Sequence, residues 1–421
     1  MTHAFIRRIL RIIPMLLCCF FLVLPAQAGQ GQAVPAGALN PGDLHYLGAF
    51  RLPENGSDEA HFYSFGGEAL AFNPRGDEGR GSLYYVGHNW HTSVAEISIP
   101  APARSKNPAD LPQARQLQPF TNIRGALFDR WAFEITRVGL EVVDNLLYFC
   151  WGSHYEPDTT FGTHGARSLD LSAPAPGAVC RIRTEPWTYA TNDYLLAIPK
   201  AWSDQHLPGY DLASGRFRDG GWSGMGPALF ALRGADVQTA AMDGLIPATP
   251  LILYDADFDN ENAAKLDGYA EPDHFAGAAW VHTDTGGALI FAGTHGFGKN
   301  WYGFANGVVF STWDEEGNEI YAEVPDPPYT QRGWWNDDFR PVLMLYNPED
   351  LAKTAKGQMQ PNHIQPYAFV DLREYMLKEQ TELDQILLGD IAHDPARGML
   401  YLLELMADGD KPIVHVFQVG K

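Results

Sequence analysis

Three histidines occupy equivalent places in segments of similar pattern. Each follows an apolar, strand-like segment and a glycine, either directly (His88) or one residue later (His154 and His295). Imidazoles brought together on one face of a protein can act as acid and base or bind a transition metal. Two further interpretations stay open: the histidines line a substrate cleft without a metal, or they are turn residues that bond locally.

Three carboxylates lie within glycine- and alanine-rich segments, namely Glu68, Glu141 and Asp390. A pair of carboxylates that flank a glycosidic bond can cleave it by acid and base catalysis. We therefore predict acid and base roles for these three residues, alongside the three histidines. The alternative is structural, with each carboxylate accepting hydrogen bonds from backbone N–H groups.

Aromatic residues are frequent in segments that read as loops, next to Gly, Asn and Asp. Exposed indole rings in such places stack on sugars, although packing between structural repeats is the alternative for any one of them. Arg137 could neutralise the carboxylate of a uronate, and Tyr155, which follows His154, could take a proton in β-elimination. The predicted substrate-binding residues are Trp90, Tyr155, Arg137, Trp222, Trp334 and Trp335.

One acidic segment resembles a calcium-binding loop. Asp255, Asp257 and Asp259 alternate along the chain as oxygen ligands do in such loops. The segment departs from the EF-hand pattern, because Asn260 stands where glycine is needed and Leu266 where the bidentate Glu belongs. Calcium is therefore the cofactor predicted for this loop, and a solvated acidic loop without a metal is the alternative. A transition metal is the cofactor predicted for the histidines.

The elements that must position these residues repeat along the chain. Each repeat begins with a strand rich in small residues, and bulkier apolar strands follow it. In a β-propeller the innermost strand of each blade is crowded against the axis, so it needs Gly and Ala, and each blade buries its faces only against its neighbours. The predicted innermost strands are Gly66–Phe72, Gly139–Val143, Gly224–Phe230, Gly277–Val281 and Gly389–Ala392.

These repeats predict an all-β fold, a single β-propeller domain over residues 41–421 with five blades. Six or seven blades are alternatives, because Asp314–Gln385 could hide another and contains a clear strand at Pro341–Tyr346. The N-terminal strand Leu44–Leu52 and the C-terminal strand Ile413–Val419 are expected to close the ring, which removes an exposed edge. The only short helices predicted are Pro348–Lys353 and Leu372–Leu377. A β-sandwich or β-helix fits the length and spacing less well.

This pattern of strands resembles that of secreted bacterial β-propeller proteins, and the resemblance covers nearly the whole chain after residue 40. It includes neither the WD40 nor the kelch signature. The resemblance therefore implies a fold and no specific chemistry.

The first 28 residues predict a signal peptide. Arg7, Arg8 and Arg11 precede an apolar run from Ile12 to Leu24, and Pro25–Ala28 ends in a small-x-small cleavage pattern. Residues 29–40 read as a flexible lead. The expected location is periplasmic or secreted, with no membrane span, since the apolar run is too short to cross a bilayer.

Charge and cysteine content narrow the possible partners. With 30 basic and 51 acidic residues the chain carries a formal charge of −21, which disfavours nucleic acid as a partner. Glycans or other small ligands are the partners expected. Cys150 and Cys180 are the two cysteines beyond the predicted signal, and in an oxidising compartment we predict a disulfide between them, with two buried thiols as the alternative.

Together these features predict an exported carbohydrate-active enzyme, a glycoside hydrolase or a polysaccharide lyase, with its site on one face of the propeller. No Gly-x-Ser-x-Gly, phosphate-binding loop, His-Glu-x-x-His or Cys-x-x-Cys motif occurs. The alternatives are a non-catalytic propeller that binds a glycan or a protein, and a metal-dependent oxidoreductase built on the histidines.

Overall fold

The computed structural model describes residues 33–129, 135–153, 160–184, 190–217, 223–257, 260–284 and 286–420. The predicted signal peptide, His154, Tyr155, Trp222 and Asp259 lie outside the described residues. Val34–Lys421 forms one compact unit. Among the described residues no helix has the length and apolar character needed to cross a membrane.

The described chain is built mainly from strands. In chain order the first strands are β1 (Leu44–Arg51), β2 (Leu70–Asn73), β3 (Ser82–Val86), β4 (Val94–Ser98), β5 (Gln116–Thr121), β6 (Ile135–Val143), β7 (Leu146–Ser153), β8 (His164–Ser168), β9 (Arg181–Ile182), β10 (Tyr194–Ala197), β11 (Leu212–Arg216) and β12 (Ala228–Leu232). They are followed by β13 (Leu245–Ile246), β14 (Thr249–Ile252), β15 (His274–Thr283), β16 (Gly286–Phe304), β17 (Ser311–Trp313), β18 (Glu319–Tyr321), β19 (Arg332–Tyr346), β20 (Ala368–Asp371), β21 (Leu388–Asp394), β22 (Met399–Asp408) and β23 (Lys411–Val419). The α-helices are short: α1 (Gly76–Gly79), α2 (Lys200–His206), α3 (Gly234–Thr239) and α4 (Pro348–Ala355).

These strands form five blades arranged in a ring, which is the predicted β-propeller. From the axis outwards, blade 1 is β2-β3-β4-β5, blade 2 is β6-β7-β8, blade 3 is β10-β11-β12-β14, blade 4 is β15-β16-β19-β20, and blade 5 is β21-β22-β23-β1. The innermost strands contact one another in the circular order β2, β6, β10, β15, β21 and back to β2. The segment 314–385 supplies β18, β19, α4 and β20 rather than a further blade.

The apolar core lies between the blades, with one large cluster for each interface. A cluster around Phe149 joins blades 1 and 2, one around Tyr148 joins blades 2 and 3, and one around Trp280 joins blades 3 and 4. Clusters around Ile391 and Phe50 join blade 5 to blades 4 and 1. Each blade thus buries its two faces against its neighbours, as expected for this architecture.

The ring closes where the sequence predicts. β1, from the N-terminal part of the chain, pairs antiparallel with the C-terminal strand β23, from Leu44 opposite Val419 to Arg51 opposite Ile413. This pairing gives β23 a partner on its outer side and makes β1 the outermost strand of blade 5. The end of the predicted lead packs as well: Leu39 is 1% exposed, and its N–H donates to the carbonyl of Gly287 at 2.9 Å.

One predicted innermost strand is wrong. Gly224–Phe230 leads into β12, the third strand of blade 3, and the innermost strand of that blade is β10. The glycines there serve a different contact: a Cβ on Gly224 would lie 2.6 Å from the carbonyl oxygen of Tyr254, and one on Gly226 would lie 2.3 Å from the Tyr254 ring. Close packing against a buried tyrosine thus produced the same sequence signal as crowding at the axis.

The predicted disulfide is also wrong, because Cys150 and Cys180 are buried thiols. His164 pairs with Cys150 across β7 and β8, and it forms an isolated bridge with Cys180 on its other side. The two cysteines are therefore two strand spacings apart, about 10 Å, whereas a disulfide needs Cα atoms within about 7 Å. Of the two predicted helices, Pro348–Lys353 is α4, and Leu372–Leu377 is a turn without a helix.

Candidate functional site

Polar residues lie where four of the innermost strands begin. Glu68 lies just before β2, Arg137 near the start of β6, Asp193 directly before β10, and His274 at the start of β15. Their mutual contacts show that four blades deliver one polar side chain each to the same end of the channel. We call these four residues, together with Arg216 behind them, the axial cluster.

Glu68 and Arg137 are the partly exposed members of the axial cluster. Desolvation raises the pKa of Glu68, Arg137 acts in the opposite direction, and the carboxylate of Asp193 adds to the increase. Glu68 therefore holds its proton to a higher pH than an ordinary glutamate, while it stays close to a positive charge and within reach of a ligand in the channel.

Asp193 and Arg216 form a buried ion pair behind them. Arg216 Nε lies 3.4 Å from Asp193 Oδ1, and their side chains are 0% and 3% exposed, respectively. Arg216 Nη2 also donates to the carbonyl of Ser153 at 2.9 Å, which connects blade 3 to blade 2. Each residue of this pair depends on the other, because removing either partner would leave an uncompensated buried charge.

His274 completes the axial cluster as a neutral imidazole. Arg137 Nη1 lies 2.9 Å from His274 Nε2, and because a guanidinium can only donate, Nε2 is the acceptor and the imidazole proton is on Nδ1. Burial, followed by the charge of Arg137, lowers the pKa of His274 to about 3. This histidine therefore positions Arg137 and carries no charge at neutral pH.

The preceding residue, Asp273, forms a carboxylate–histidine pair with the predicted residue His295. His295 Nδ1 donates to Asp273 Oδ1 at 2.9 Å, and the N–H of Gly296 donates to the same oxygen at 2.8 Å. The imidazole stacks on Phe369 with 5.1 Å between ring centroids. Asp273 fixes the orientation of the ring and leaves Nε2 as the nitrogen that a ligand could meet.

His88 lies at the same end of its blade as Glu68, since β3 ends opposite the start of β2. It is 7% exposed, and its Nδ1 accepts a hydrogen bond from the N–H of Trp90 at 3.2 Å. Trp90 is 70% exposed, with its ring against His88 at 5.3 Å between centroids. The two histidines have separate ring neighbours in the described part of the chain: His88 contacts Trp90 and His91, and His295 contacts Phe297 and Phe369.

Glu141 lies towards the opposite end of the channel, where a cavity of about 190 Å³ is lined by the later residues of all five innermost strands. Its carboxylate accepts hydrogen bonds from the N–H groups of Val142 and Ala197 at 2.8 and 3.2 Å, and burial raises its pKa to about 7. Asp390 is 1% exposed, and it accepts from the N–H groups of Leu70 and Ile391, both at 2.8 Å. Asp390 thus joins blades 5 and 1 as a structural carboxylate.

The two predicted tryptophans of β19 differ in exposure. Trp334 is partly exposed and packs edge-on against Tyr302, with 5.2 Å between centroids. Trp335 is 2% exposed, which leaves too little surface for a sugar to stack on.

The two described residues of the predicted calcium loop, Asp255 and Asp257, do not assemble a metal site by themselves. Asp255 accepts hydrogen bonds from the N–H of Ala264 at 2.8 Å and from Asn362 Nδ2 at 3.0 Å. Within the described part of the chain, no group of three or more His, Cys, Asp or Glu side chains is placed to hold a metal ion. Because Asp259 lies outside the described residues, calcium binding stays a prediction.

The sequence interpretation missed Asp193, Asp273, His274 and Arg216. The first was missed because β10 was not recognised as an innermost strand. A usable signal was present, since an acidic residue stands directly before or at the start of the apolar run in Glu68-Ala69-Leu70, Asp193-Tyr194-Leu195, Asp273-His274-Phe275 and Asp390-Ile391. Arg216, at the end of β11, has no comparable signal.

No protein-family model and no curated protein sequence matches this chain. Among solved structures, a glycosyl hydrolase from Bacteroides ovatus is similar with a TM-score of 0.37 and 10% identity, over 89% of this chain and 84% of that one. The Dos1 propeller is similar with a TM-score of 0.26 and 7% identity, over 84% of this chain and 68% of that one. Similarities this weak establish neither the fold nor an activity for this chain, and the assignment as a five-bladed propeller rests on its own strand pairing.

Proposed function

We propose that this protein is an exported glycoside hydrolase whose active site is the axial cluster. The observation that supports the proposal is the pair of carboxylates from blades 1 and 3. Glu68 is partly exposed and has a raised pKa, while Asp193 is buried and paired with Arg216. Two carboxyl groups with different surroundings, one able to hold a proton and one ionised, are what hydrolysis of a glycosidic bond requires.

In the proposed reaction Glu68 acts first as the general acid. It donates its proton to the glycosidic oxygen as the bond from that oxygen to the anomeric carbon breaks. The negative charge of Asp193 stabilises the positive charge that develops on the sugar ring. Glu68 then takes a proton from water as the hydroxide adds to the anomeric carbon, which restores the starting state. Arg137 lies beside Glu68, and His274 fixes its orientation.

β-Elimination has less support from these contacts. It needs a base close to the arginine that neutralises a uronate, and the basic nitrogen of His274 is occupied by Arg137 itself. The chain's net negative charge also disfavours polyuronates. Hydrolysis of a neutral glycan is therefore the reaction that we propose.

The test is activity of residues 29–421 on a panel of neutral and acidic polysaccharides, followed by Glu68→Gln. Loss of the acid and base is expected to lower kcat/KM by about 10²–10⁴-fold. Because the pKa of Glu68 is raised, the wild-type rate is expected to fall as the pH rises through that pKa. Glu141→Gln is the matched control, since Glu141 lies towards the other end of the channel and is expected to keep wild-type activity.

Two outcomes contradict the proposal. If no polysaccharide of the panel is cleaved by the wild type, the protein is not a glycoside hydrolase on these substrates, and a binding propeller becomes the better interpretation. If Glu68→Gln keeps the wild-type rate, the active site is not the axial cluster.

A further inference from the structure

Blade 4 carries an extension at the end of the channel where the axial cluster lies. β15 pairs with β16 only as far as Thr294, which is opposite His274. Beyond that point β16 and β19 continue as a two-stranded ribbon as far as Phe304 opposite Arg332. We call residues 295–340 the blade 4 extension.

A cleft of about 510 Å³ lies on this extension. It is lined by Trp301, residues 305–307, residues 336–339 and residues 380–382. The last segment is held against β19 by two hydrogen bonds, from Gln380 Nε2 to the carbonyl of Phe339 and from Gln385 Nε2 to that of Trp334, both 2.6 Å. The cleft therefore has walls from two distant parts of the chain that are fixed to each other.

Asn336 is the buried polar group of this cleft. It is 6% exposed, and within the described part of the chain its side-chain amide makes no hydrogen bond, with Oδ1 fully enclosed. The amide lies over Gly296, where a Cβ would come within 2.7 Å of Asn336 Cγ. A buried amide without a partner is costly. Nδ2 is not enclosed and has no partner among the described residues, so it can donate to a hydroxyl group of a ligand in the cleft.

Trp301 supplies a flat apolar surface in the same cleft. Its indole is partly exposed, and Nε1 donates to the carbonyl of Phe304 at 3.0 Å, which fixes the orientation of the ring. An indole fixed in this way offers its face to the C–H groups of a sugar ring at little entropic cost.

The charges of the cleft select among sugars. Asp337, Asp338 and Glu382 line it, and carboxylates accept hydrogen bonds from sugar hydroxyl groups while they repel uronates. Asp338 is bound by Arg340 Nε at 2.6 Å, and Asp337 Oδ2 accepts from the N–H of Lys299 at 2.6 Å, so both carboxylates are held in place.

We propose that this cleft is a binding subsite for neutral sugar units of a glycan whose cleaved bond lies at the axial cluster. The role as a subsite rests on the proposed function, whereas the binding itself does not. The subsite holds sugar units of the glycan that do not react, so long substrates are expected to bind with higher affinity than short ones.

The test measures calorimetric binding to the Glu68→Gln variant of residues 29–421, in which cleavage is suppressed. The probes are the hexasaccharides of β-1,4-linked xylose, glucose, mannose and N-acetylglucosamine, with hexagalacturonate as the acidic comparison. At least one neutral probe is expected to bind more tightly than hexagalacturonate. Adding Trp301→Ala or Asn336→Ala is expected to weaken that binding at least tenfold.

Trp313→Ala is the matched control, because Trp313 lies on β17 of the same extension, is 71% exposed and does not line the cleft. It is expected to leave binding unchanged. Circular dichroism and melting curves show whether each variant is folded, and Asn336→Asp replaces Asn336→Ala if the latter is not.

The outcomes separate the two proposals. Binding that depends on Trp301, without cleavage by the wild type, supports the subsite and overturns only the proposed reaction. Cleavage with hexasaccharide binding that neither variant weakens overturns only the subsite. Absence of binding by every neutral probe, or preference for hexagalacturonate, also overturns the subsite.

Discussion

The three carboxylates that the sequence places in innermost segments have three different environments. Glu68 lies beside Arg137 and is partly exposed, whereas Asp390 is bound to two backbone N–H groups between blades. Glu141 accepts two backbone hydrogen bonds near the other end of the channel. A carboxylate that serves as a hydrogen-bond acceptor for the backbone stabilises the fold, and only Glu68 combines a raised pKa with a charged neighbour and access from the channel.

The raised pKa of Glu141 predicts a pH-dependent stability. An ordinary glutamate ionises near 4.5, and Glu141 near 7, so its contribution to stability is fully present below about 4.5 and is lost as the pH rises to about 7. Glu141→Gln removes this loss, which we put at about 1–3 kcal/mol. The variant also loses one hydrogen-bond acceptor at every pH. The informative quantity is therefore how the difference in unfolding free energy between the variant and the wild type changes with pH.

Urea unfolding at pH 5, 6, 7 and 8 measures this change. The free energy of unfolding of Glu141→Gln, relative to the wild type, is expected to increase from pH 5 to about pH 7 and to level off by pH 8. Glu316→Gln, on an exposed turn, serves as the control and should show no such trend. A constant difference between Glu141→Gln and the wild type would show that Glu141 ionises normally in the folded protein.

Among the elements, the innermost strands are the most tightly constrained. A Cβ on Gly277 of β15 would lie 2.2 Å from Oδ1 and 2.5 Å from Cα of Asp390 on β21. A Cβ on Gly139 of β6 would lie 3.0 Å from the backbone of β10. Glycine is required at these places because neighbouring innermost strands approach each other closely. Arg137 and His274 come from the non-neighbouring strands β6 and β15 and meet across the channel.

Gly277→Ala therefore tests the crowding at the axis. The added methyl group must displace backbone atoms of β21, and we expect a loss of about 1–3 kcal/mol in the free energy of unfolding. Gly333→Ala is the matched control in another strand, because its Cβ would have no atom within 4 Å. Equal stabilities of the two variants in urea titrations would contradict the packing described for the innermost strands.

For the molecule as a whole, the closure between β1 and β23 joins the two ends of the chain in one blade. Phe50 of β1 is fully buried, in the cluster that joins blade 5 to blade 1. The N-terminal strand therefore contributes both hydrogen bonds to the last blade and side chains to the interface with the first. We expect the five blades to unfold together, because each depends on both neighbours.

Phe50→Ala tests this closure. Truncating a fully buried phenylalanine is expected to lower the free energy of unfolding by about 3–5 kcal/mol. The five blades of the variant are still expected to unfold in a single transition. Ile320→Ala, at a 52% exposed position on β18 outside the blades, should change it by less than about 0.5 kcal/mol. A second transition that appears only in Phe50→Ala would show that blade 5 unfolds independently.

The sequence by itself determined the blade architecture, because that architecture depends on local patterns. Small residues mark four of the five innermost strands, and the apolar strands at the two ends of the chain predict the closure. The fifth innermost strand, Tyr194–Ala197, has no glycine, and its identification needed the pairing of β10 with β11. Gly224 and Gly226 misled the interpretation because glycine is required wherever backbone and side chains meet closely, both at the axis and beside Tyr254.

Only the tertiary structure decided which residues form the site. Glu68, Arg137, Asp193 and His274 come from four blades, and nothing in the local sequence specifies which side chains from separate blades meet at the axis. The same holds for Asn336 and Trp301, whose cleft is completed by residues 380–382 after the chain has passed through β20. Strand patterns arise from burial and periodicity along the chain, whereas pKa values and hydrogen bonds arise from neighbours in space.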